Sequence, residues 1–254
     1  MKIIMSPAKR MNVDPDTLEY QGFPVFLEQT EEILKWLKAR SYEELRALWC
    51  CNDRIARQNV EQLKGMELRK NLTPAVLSYE GIAYQYMAPA VFEDAHLDYI
   101  QEHLRILSGF YGVLRPMDGV VPYRLEMQAK AAIGGCKDLY ELWGDRIYRE
   151  VRDEDGVIIN LASKEYSRCV EKYLTAQDTL VTCIFAEWVK GKLVQKSTYA
   201  KMARGEMVRF LAEGKVEDPR EMKKFDRLGF VYREALSSDT EYVFERMVQT
   251  GAGE

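Results

Sequence analysis

The sequence predicts a single α/β domain in which helices surround a mixed β-sheet. Two short apolar runs, residues 2–5 and 157–161, have the composition of buried strands, and long stretches with helical periodicity separate them. Strand and helix signals alternate along the chain, which is typical of α/β domains. No Ser- or Gly-rich linker and no block of like charge interrupts residues 1–254, so we predict one domain and not two.

Helix start signals follow one another in the first third of the chain. Apolar residues at helical spacing predict a helix over residues 26–37. The next three starts are marked, in chain order, by Ser41 with Glu44 as a capping box, by Asn52 or Asp53, and by Thr73 followed by Pro74 at the first helical position. We therefore expect a mainly helical region after the first strand.

The second half of the chain alternates between strands and helices. In chain order, the predicted elements are a helix capped by Asp138 that extends to about residue 147, a helix that Ser163 begins directly after the strand at 157–161, a β-hairpin over 181–198 with its turn at Lys190-Gly191-Lys192, a helix near Tyr199 and a strand at 242–244. This alternation supports the α/β class.

The segment from residue 103 to 127 combines basic residues, glycines and prolines around an apolar thread. Apolar residues at 97, 100, 104 and 107 have helical spacing and run into Gly109 and Gly112, which predicts a helix, a tight hairpin and a second element. Glycines at such a hairpin let a phosphate approach backbone N–H groups, and Arg105, Arg115 and Arg124 could neutralise its charge. The alternative is a simple turn with solvated arginines.

The overall charge restricts how the chain could contact nucleic acid. A formal net charge of −4 argues against a protein that coats nucleic acid with its whole surface. Residues 190–209 nevertheless hold six basic side chains and one acidic side chain. Lys201, Arg204 and Arg209 in this segment are therefore candidates for a local DNA contact, the alternative being an ordinary solvated face.

Motifs for cofactors, metals and membranes are missing from the sequence. The five cysteines include no C-x-x-C pair, and the two histidines lie two turns apart on one predicted helix, about 10 Å along its axis. Glycine-rich nucleotide loops are absent too, so we predict neither a metal site nor a cofactor. The N-terminus lacks the apolar core of a signal peptide, and no apolar run is long enough to span a bilayer, which predicts a cytoplasmic protein with no membrane partner.

Polar residues follow the two best strand candidates. Ser6 and Lys9 come directly after residues 2–5, and Asn160 and Ser163 mark the end of residues 157–161, with Tyr166 one turn further on. Ligands of open α/β sheets gather beyond the carboxyl ends of strands. If the two strands are parallel neighbours, these side chains line the opening of a single ligand site at the carboxyl ends of the strands. Ser6 and Lys9 also match the S-x-x-K spacing of an activated serine, although Ser6 before Pro7 equally matches a helix N-cap.

Charged residues between the glycine segment and residue 138 complete the candidate pocket. Arg124 and Glu126 are two residues apart and would share one face of an extended segment, next to Tyr123. The pair could be a structural ion pair or a set of acid and base groups. Lys137 precedes the Asp138 cap and could reach a neighbouring site.

Several blocks in this chain resemble the peroxide stress protein YaaA family. The matching blocks are Ser6-Pro-Ala-Lys9, LRILSGFYGVLRPMD, PYRLEM, KDLYELWGD, VIINLASKEY, YAKMARGEMVRF and the segment from 225 to 246. The resemblance implies a single α/β domain with a helix-hairpin-helix-like element. It also implies a cytoplasmic protein of the oxidative stress response that binds double-stranded DNA, limits free intracellular iron and so protects DNA.

The chain departs from the family pattern in two places. Arg10-Met11-Asn12 stands where the family commonly has Thr-Leu-Asp, and the spacing from Gly109 to Gly112 is one residue longer than the usual Gly-x-Gly. The rival interpretation is an enzyme that acts on a nucleotide or another anionic small molecule in a basic pocket. A cleft shared by Ser6, Lys9, Arg124 and Asn160 would favour the enzyme. A basic surface joining the glycine hairpin to residues 201–209 would favour DNA.

Overall fold

Twelve β-strands lie within residues 1–247, which are the residues that the computed structural model of the chain describes. They are β1 (Lys2–Met5), β2 (Arg10–Met11), β3 (Thr73–Pro74), β4 (Tyr79–Glu80), β5 (Leu104–Ser108), β6 (Gly112–Leu114), β7 (Gly119–Val120), β8 (Val157–Leu161), β9 (Thr179–Val189), β10 (Lys192–Val194), β11 (Phe230–Tyr232) and β12 (Glu241–Arg246). The strands predicted at 2–5, 157–161 and 242–244 are confirmed as β1, β8 and the centre of β12.

Eight of these strands form one mixed sheet with β1 near its centre. The order is β11-β12-β9-β8-β1-β5-β6, and β10 pairs with the end of β9. β1 is parallel to both β5 and β8, whereas β6, β10 and β11 join antiparallel to their neighbours. All four residues of β1 are buried, because a central parallel strand is covered on both faces. The predicted mixed sheet of an α/β domain is confirmed.

Ten α-helices lie in the same part of the chain. They are α1 (Leu27–Lys38), α2 (Tyr42–Trp49), α3 (Asp53–Lys64), α4 (Ala75–Ser78), α5 (Ile82–Met87), α6 (Asp94–His103), α7 (Leu139–Trp143), α8 (Arg146–Val151), α9 (Lys164–Glu171) and α10 (Ser197–Gly214). Short 3-10 helices occur at Pro89–Val91, Pro219–Lys224, Arg227–Gly229 and Glu234–Leu236. Over residues 1–247, no helix has both the length and the apolar character needed to cross a membrane.

Local capping contacts set three of the helix starts. The Ser41 and Glu44 side chains each bond the other residue's backbone N–H, which confirms the capping box of α2. The Asn52 side chain accepts the Ile55 N–H at 3.0 Å and begins α3. Asp138 caps α7 in the same way. Two predictions were wrong in detail, because Thr73–Pro74 forms β3 before α4 begins, and a positive φ of 54° at Gly144 separates α7 from α8.

The glycine segment joins two strands and not two helices. Helix α6 ends at His103, residues 104–108 form β5, and Gly112 begins β6, so the predicted helix-hairpin-helix-like element is absent from this segment. Leu104 and Leu107 are fully buried in the sheet. Their helical spacing was misleading because a fully buried strand is apolar on both faces and lacks the alternation that marks a strand.

Neither glycine of this hairpin offers its backbone to a phosphate. A Cβ on Gly109 would lie 2.6 Å from the Leu125 carbonyl oxygen, and one on Gly112 would lie 2.9 Å from the Trp143 ring. The two N–H groups between the glycines both donate to Ser108 Oγ, at 3.1 and 2.9 Å. The glycines are there because the protein packs tightly against them, and φ of 74° at Gly112 also favours glycine.

Helix α10 packs closely against α5, and a glycine makes this approach feasible. A Cβ on Gly205 would lie 1.9 Å from the carbonyl oxygen of Ala83 in α5. Helix α10 also contacts α6 and β9. The close packing of α10 on α5 therefore fixes the positions of the side chains on both helices relative to the sheet.

Candidate functional site

Strands β1 and β8 end side by side, as expected for parallel neighbours. Met5 pairs with Leu161 in the register, and the next residues along both strands are polar. The backbone N–H of Ser163 donates to Ser6 Oγ at 2.8 Å, and the two hydroxyl oxygens are 3.2 Å apart. This is also the point where the order of the strands in the sheet reverses, because the two parallel neighbours of β1 lie on opposite sides of it, β5 on one side and β8 on the other. Such switch points are where open α/β sheets bind ligands.

A cavity of about 420 Å³ opens beyond these strand ends. Seven of the nine residues predicted for a pocket line it, namely Ser6, Lys9, Tyr123, Arg124, Glu126, Ser163 and Tyr166. The walls between them are apolar and include Met5 and Leu161. Its size and mixed lining are typical of small-molecule sites.

Two of the predicted pocket residues lie elsewhere. Asn160 is buried, with its side chain accepting the Ala162 N–H at 2.9 Å and donating to Thr182 Oγ1 at 3.3 Å. It holds the turn after β8 and does not line the cavity. Lys137 is exposed before α7, where its backbone N–H bonds Glu141, and it does not line the cavity either.

The residues predicted to contact DNA do not share one environment. Arg105 is buried and donates to the backbone carbonyls of Gln101 and Leu104, at 3.2 and 2.8 Å. Arg209 pairs with Glu213 at 2.7 Å, while Arg115 is exposed. The remaining members of the set are the buried Gly109 and Gly112, and Lys201 and Arg204, which line the cavity. Arg105 and the two glycines are buried while Lys201 and Arg204 line the cavity, so the predicted residues do not form one continuous basic surface.

One carboxylate sits between two of the cavity's cations. Glu126 Oε2 lies 2.9 Å from Lys9 Nζ, and Glu126 Oε1 lies 3.5 Å from an Arg124 guanidinium nitrogen. The expected Arg124–Glu126 pair therefore forms. Because Lys9 is paired with Glu126 while Ser6 bonds Ser163, these two residues do not form the lysine-activated serine that their spacing suggested.

Two arginines of the cavity have a buried donor that the described part of the chain leaves without a hydrogen-bond partner. Nε of Arg124 and Nε of Arg204 are both inaccessible to solvent and have no hydrogen-bond partner among residues 1–247. Both side chains line the cavity. An unsatisfied buried donor costs about 1–3 kcal/mol, more for a charged group, so the described residues do not compensate the burial of these two Nε groups.

The surroundings of Arg204 are otherwise poor in acceptors. Burial lowers the pKa of this guanidinium, and nearby Cys183 opposes that shift only in part. The Cys183 thiol is itself buried, which raises its pKa to about 12. A guanidinium remains charged at neutral pH even so, and an anion in the cavity would compensate the positive charge.

Buried tyrosines form much of the remaining wall. The Tyr84 hydroxyl donates to the Ser6 carbonyl at 2.9 Å, and the Tyr123 hydroxyl bonds Ser108 Oγ at 2.6 Å and the Tyr79 hydroxyl at 2.9 Å. Burial raises the pKa of Tyr123 to about 12 and raises the pKa of Tyr166 further. These phenols are therefore neutral at physiological pH, and Tyr84, Tyr123 and Tyr166 line the cavity as uncharged groups.

Two further carboxyl groups of the cavity, Glu80 and Glu165, were not predicted from the sequence, and Glu80 pairs with Arg10 at 3.2 Å. Glu165 lies on the first turn of α9 and lines the cavity beside Tyr166. Burial raises its pKa, a hydrogen bond from the Gln128 N–H at 3.2 Å lowers it, and the charge of Glu126 raises it again, with a net upward shift. The sequence feature that could have identified Glu165 is its position two residues after Ser163, close to the carboxyl end of a predicted strand. Within residues 1–247, no group of three or more His, Cys, Asp or Glu side chains is arranged to hold a metal ion.

Comparison with known proteins places the chain in a family. The family model described as "Peroxide stress protein YaaA" matches residues 1–236. A "UPF0246 protein" of Agathobacter rectalis is 62% identical over 98% of this chain and 100% of its own length. "UPF0246 proteins" of Lachnoclostridium phytofermentans and Desulfitobacterium hafniense are each 55% identical over 96% of this chain, covering 96% and 97% of their own lengths. The chain belongs to the peroxide stress protein YaaA family.

Proposed function

We propose that this family member acts in the peroxide stress response of the cytoplasm by binding an anionic small molecule of the nucleotide class in the cavity. The observation that carries the proposal is the convergence of three cationic side chains, Arg124, Lys201 and Arg204, on one cavity. Arginine is the side chain best suited to phosphate, because its planar fork can donate two parallel hydrogen bonds.

The shape and lining of the cavity support a ligand with one charged end and one flat end. Arg124, Arg204 and Lys201 supply positive charge, while Tyr123 and Tyr166 supply aromatic side chains. The volume of about 420 Å³ lies within the range of small-molecule sites. A nucleoside monophosphate combines these features in a molecule of suitable size.

Removing either arginine should weaken nucleotide binding strongly. We expect Arg124→Ala and Arg204→Ala each to raise the Kd for AMP by at least about tenfold, since a charge-assisted hydrogen bond contributes roughly 1.5–3 kcal/mol. Isothermal titration calorimetry at fixed ionic strength measures this. Arg209→Ala is the matched control, because Arg209 is on the same helix, pairs with Glu213 and does not line the cavity. Equal Kd values in all four proteins, or no AMP binding by the wild type, would disprove the proposal.

Binding of double-stranded DNA and limitation of free iron, which the family resemblance implies, form the second candidate function. One observation favours a DNA contact. The β9–β10 hairpin has the exposed Lys190 and Lys192 on either side of Gly191, with Trp188 49% exposed next to them. Basic and aromatic side chains together are common at nucleic-acid surfaces. Arg115 is a further exposed cation.

The DNA candidate predicts a change in salt dependence. Replacing Lys190 and Lys192 with Gln should flatten the plot of log K against log salt for a DNA duplex by roughly 0.9 for each phosphate that the variant no longer neutralises. Fluorescence anisotropy at several salt concentrations measures the slope. The control replaces Lys64 and Lys70, which pair with neighbouring glutamates, and changes the net charge equally. An unchanged slope excludes the hairpin from DNA binding.

Cells distinguish the two candidates. Cells that lack their own copy would be complemented with the wild type, Arg124→Ala or the Lys190/Lys192 double variant, and challenged with peroxide. Survival and chelatable iron are the two measurements. Loss of protection only in Arg124→Ala favours the cavity, and loss only in the hairpin variant favours DNA.

A further inference from the structure

A second cavity, of about 280 Å³, lies beside the hairpin of β5 and β6. Among residues 1–247, it shares no lining residue with the cavity at the ends of β1 and β8. Its ionisable side chains are two cations and two carboxyl groups, Arg105, Arg115, Asp118 and Glu150. The second cavity is therefore smaller than the first, and the charges on its wall balance.

Two buried groups of opposite charge line this second cavity. Arg105 and Asp118 are each only 6% exposed. Within the described part of the chain, no ion pair of 4.0 Å or less joins them to each other or to any other charged side chain. Buried charges in proteins are normally paired. Because both groups line one small cavity without touching, a single small molecule can contact both.

Each of these two side chains keeps polar atoms free. Arg105 Nη1 donates to the carbonyls of Gln101 and Leu104, whereas Arg105 Nε and Nη2 have no partner among the described residues. Asp118 Oδ2 accepts the Arg115 N–H at 2.8 Å, and no described residue bonds Asp118 Oδ1. These three free atoms are not sealed from solvent, although both side chains are more than nine-tenths buried. A ligand in the cavity can therefore reach two donors on Arg105 and one acceptor on Asp118.

The pKa shifts of the two groups agree with this lack of direct pairing. Burial raises the pKa of Asp118 to about 6, and the Arg115 N–H and the charges of Arg115 and Arg105 offset this rise only in part. Burial also lowers the pKa of the Arg105 guanidinium. Both shifts disfavour the charged forms, whereas a close ion pair favours them. A ligand that brings the opposite charge to each group would reduce this cost.

We infer that the second cavity binds a small zwitterion, an α-amino acid with an apolar side chain, whose carboxylate contacts Arg105 and whose ammonium group contacts Asp118. The guanidinium fork suits a carboxylate, and the free carboxylate oxygen suits an ammonium donor. Balanced charge on the wall favours a ligand without net charge over an anion. This site is independent of the proposed nucleotide site, because the two cavities share no described lining residue.

Apolar residues supply the rest of the wall and select the side chain of the ligand. Val113 and Leu114 of β6 are buried, while Phe23 and Val25 are 44% and 55% exposed. An apolar ligand side chain would cover part of the exposed surface of Phe23 and Val25, which is favourable in proportion to the apolar area removed from water. The volume of about 280 Å³ restricts the ligand to a molecule smaller than a nucleotide.

Three ligands with related carbon skeletons test the charge requirement on the full wild-type chain. They are L-leucine, 4-methylpentanoate, which lacks the ammonium group, and 3-methylbutylamine, which lacks the carboxylate. Isothermal titration calorimetry measures each Kd. We expect L-leucine to bind at least about tenfold more tightly than either analogue, because each analogue loses one charge-assisted interaction. Absence of L-leucine binding, or equal affinity for either analogue, overturns the inference.

A conservative variant tests the assignment of Asp118. Asp118→Asn removes the charge but keeps an oxygen that can accept the Arg115 N–H. We expect it to raise the Kd for L-leucine at least about tenfold. Its urea midpoint should be level or raised, because a buried charge without a close counter-ion is removed. Asp98→Asn is the matched control, since Asp98 is exposed on α6 and does not line the cavity. Equal Kd values in wild type and Asp118→Asn, or weaker binding that only follows a loss of folded protein, overturn the assignment.

Discussion

Replacing Gly205 with alanine should destabilise the protein by about 3 kcal/mol or more, although alanine is the better helix former. Helix propensity alone predicts a gain of roughly 1 kcal/mol for this change inside α10. The added Cβ, however, would lie 1.9 Å from the Ala83 carbonyl oxygen and 3.0 Å from the Met87 nitrogen. These are backbone atoms of α5 that no rotamer change can move. Overpacking of this kind costs typically 1–3 kcal/mol and sometimes more, so the steric effect outweighs propensity.

Urea unfolding of Gly205→Ala and Gly214→Ala tests this expectation. Gly214 is the last residue of the same helix, and its nearest neighbour, Val216 Cγ2 at 3.1 Å, is a side-chain atom that can move. We expect Gly214→Ala to change stability by about 1 kcal/mol at most. Because α5 and α10 both contribute cavity residues, Gly205→Ala should also weaken AMP binding. Wild-type stability in Gly205→Ala would contradict the close packing of the two helices.

Loss of the Asp178 carboxylate should be the largest effect of removing a single charge. Asp178 has a fully buried side chain that accepts the Thr175 N–H and hydroxyl at 2.7 and 2.8 Å, the Tyr148 hydroxyl at 2.7 Å and Arg152 Nε at 2.8 Å. Asp178→Ala leaves these donors without their acceptor. We expect a loss of about 1–3 kcal/mol at pH 7, because several donors lose a charged acceptor while Arg152 remains about one-third exposed to solvent.

The pH dependence of this loss follows from the pKa of Asp178. Burial alone would raise this pKa, but the hydrogen bonds from Thr175, Tyr148 and Arg152 outweigh burial and hold it well below the usual 3.8. A depressed pKa in the folded state means that the stabilisation is complete above the unfolded value and is lost as pH falls below it. The stability difference between wild type and variant should thus be constant from pH 7 to 5 and shrink below about pH 4.

Urea titrations at pH 7, 5, 4 and 3 measure this difference. Asp145→Ala is the control, because Asp145 forms an exposed pair with Arg149 at 2.6 Å. Exposed helix pairs of this spacing contribute about 0.3–0.5 kcal/mol. A loss of the same size in both variants would show that the Asp178 network does not stabilise the fold.

Local signals in the sequence were sufficient where contacts within a few residues decide the structure. The caps at Ser41, Asn52 and Asp138 depend on backbone N–H groups three residues away, and each formed as predicted. The mouth between β1 and β8 was also predictable, since it needed only two buried strands and the rule that ligand sites lie at their carboxyl ends.

Long-range packing decided the features that the sequence analysis missed. Residues 104–108 form a strand only because β1 pairs with them, and no pattern within the segment reveals that pairing. Lys201 and Arg204 were assigned to a DNA surface because they occur in a basic run. Instead, the packing of Gly205 against α5 places α10, and with it Lys201 and Arg204, at the cavity. That placement depends on the contact between two helices, so the sequence of α10 alone does not reveal it.

The burial of Cys183 beside Arg204 affects how the thiol reacts with peroxide, the oxidant for which the family is named. Hydrogen peroxide oxidises thiolates and not thiols, and burial raises the pKa of both Cys183 and Cys169 to about 12. The two buried thiols are therefore poor targets for the oxidant, and the core beside Arg204 can keep its packing under the conditions for which the family is named.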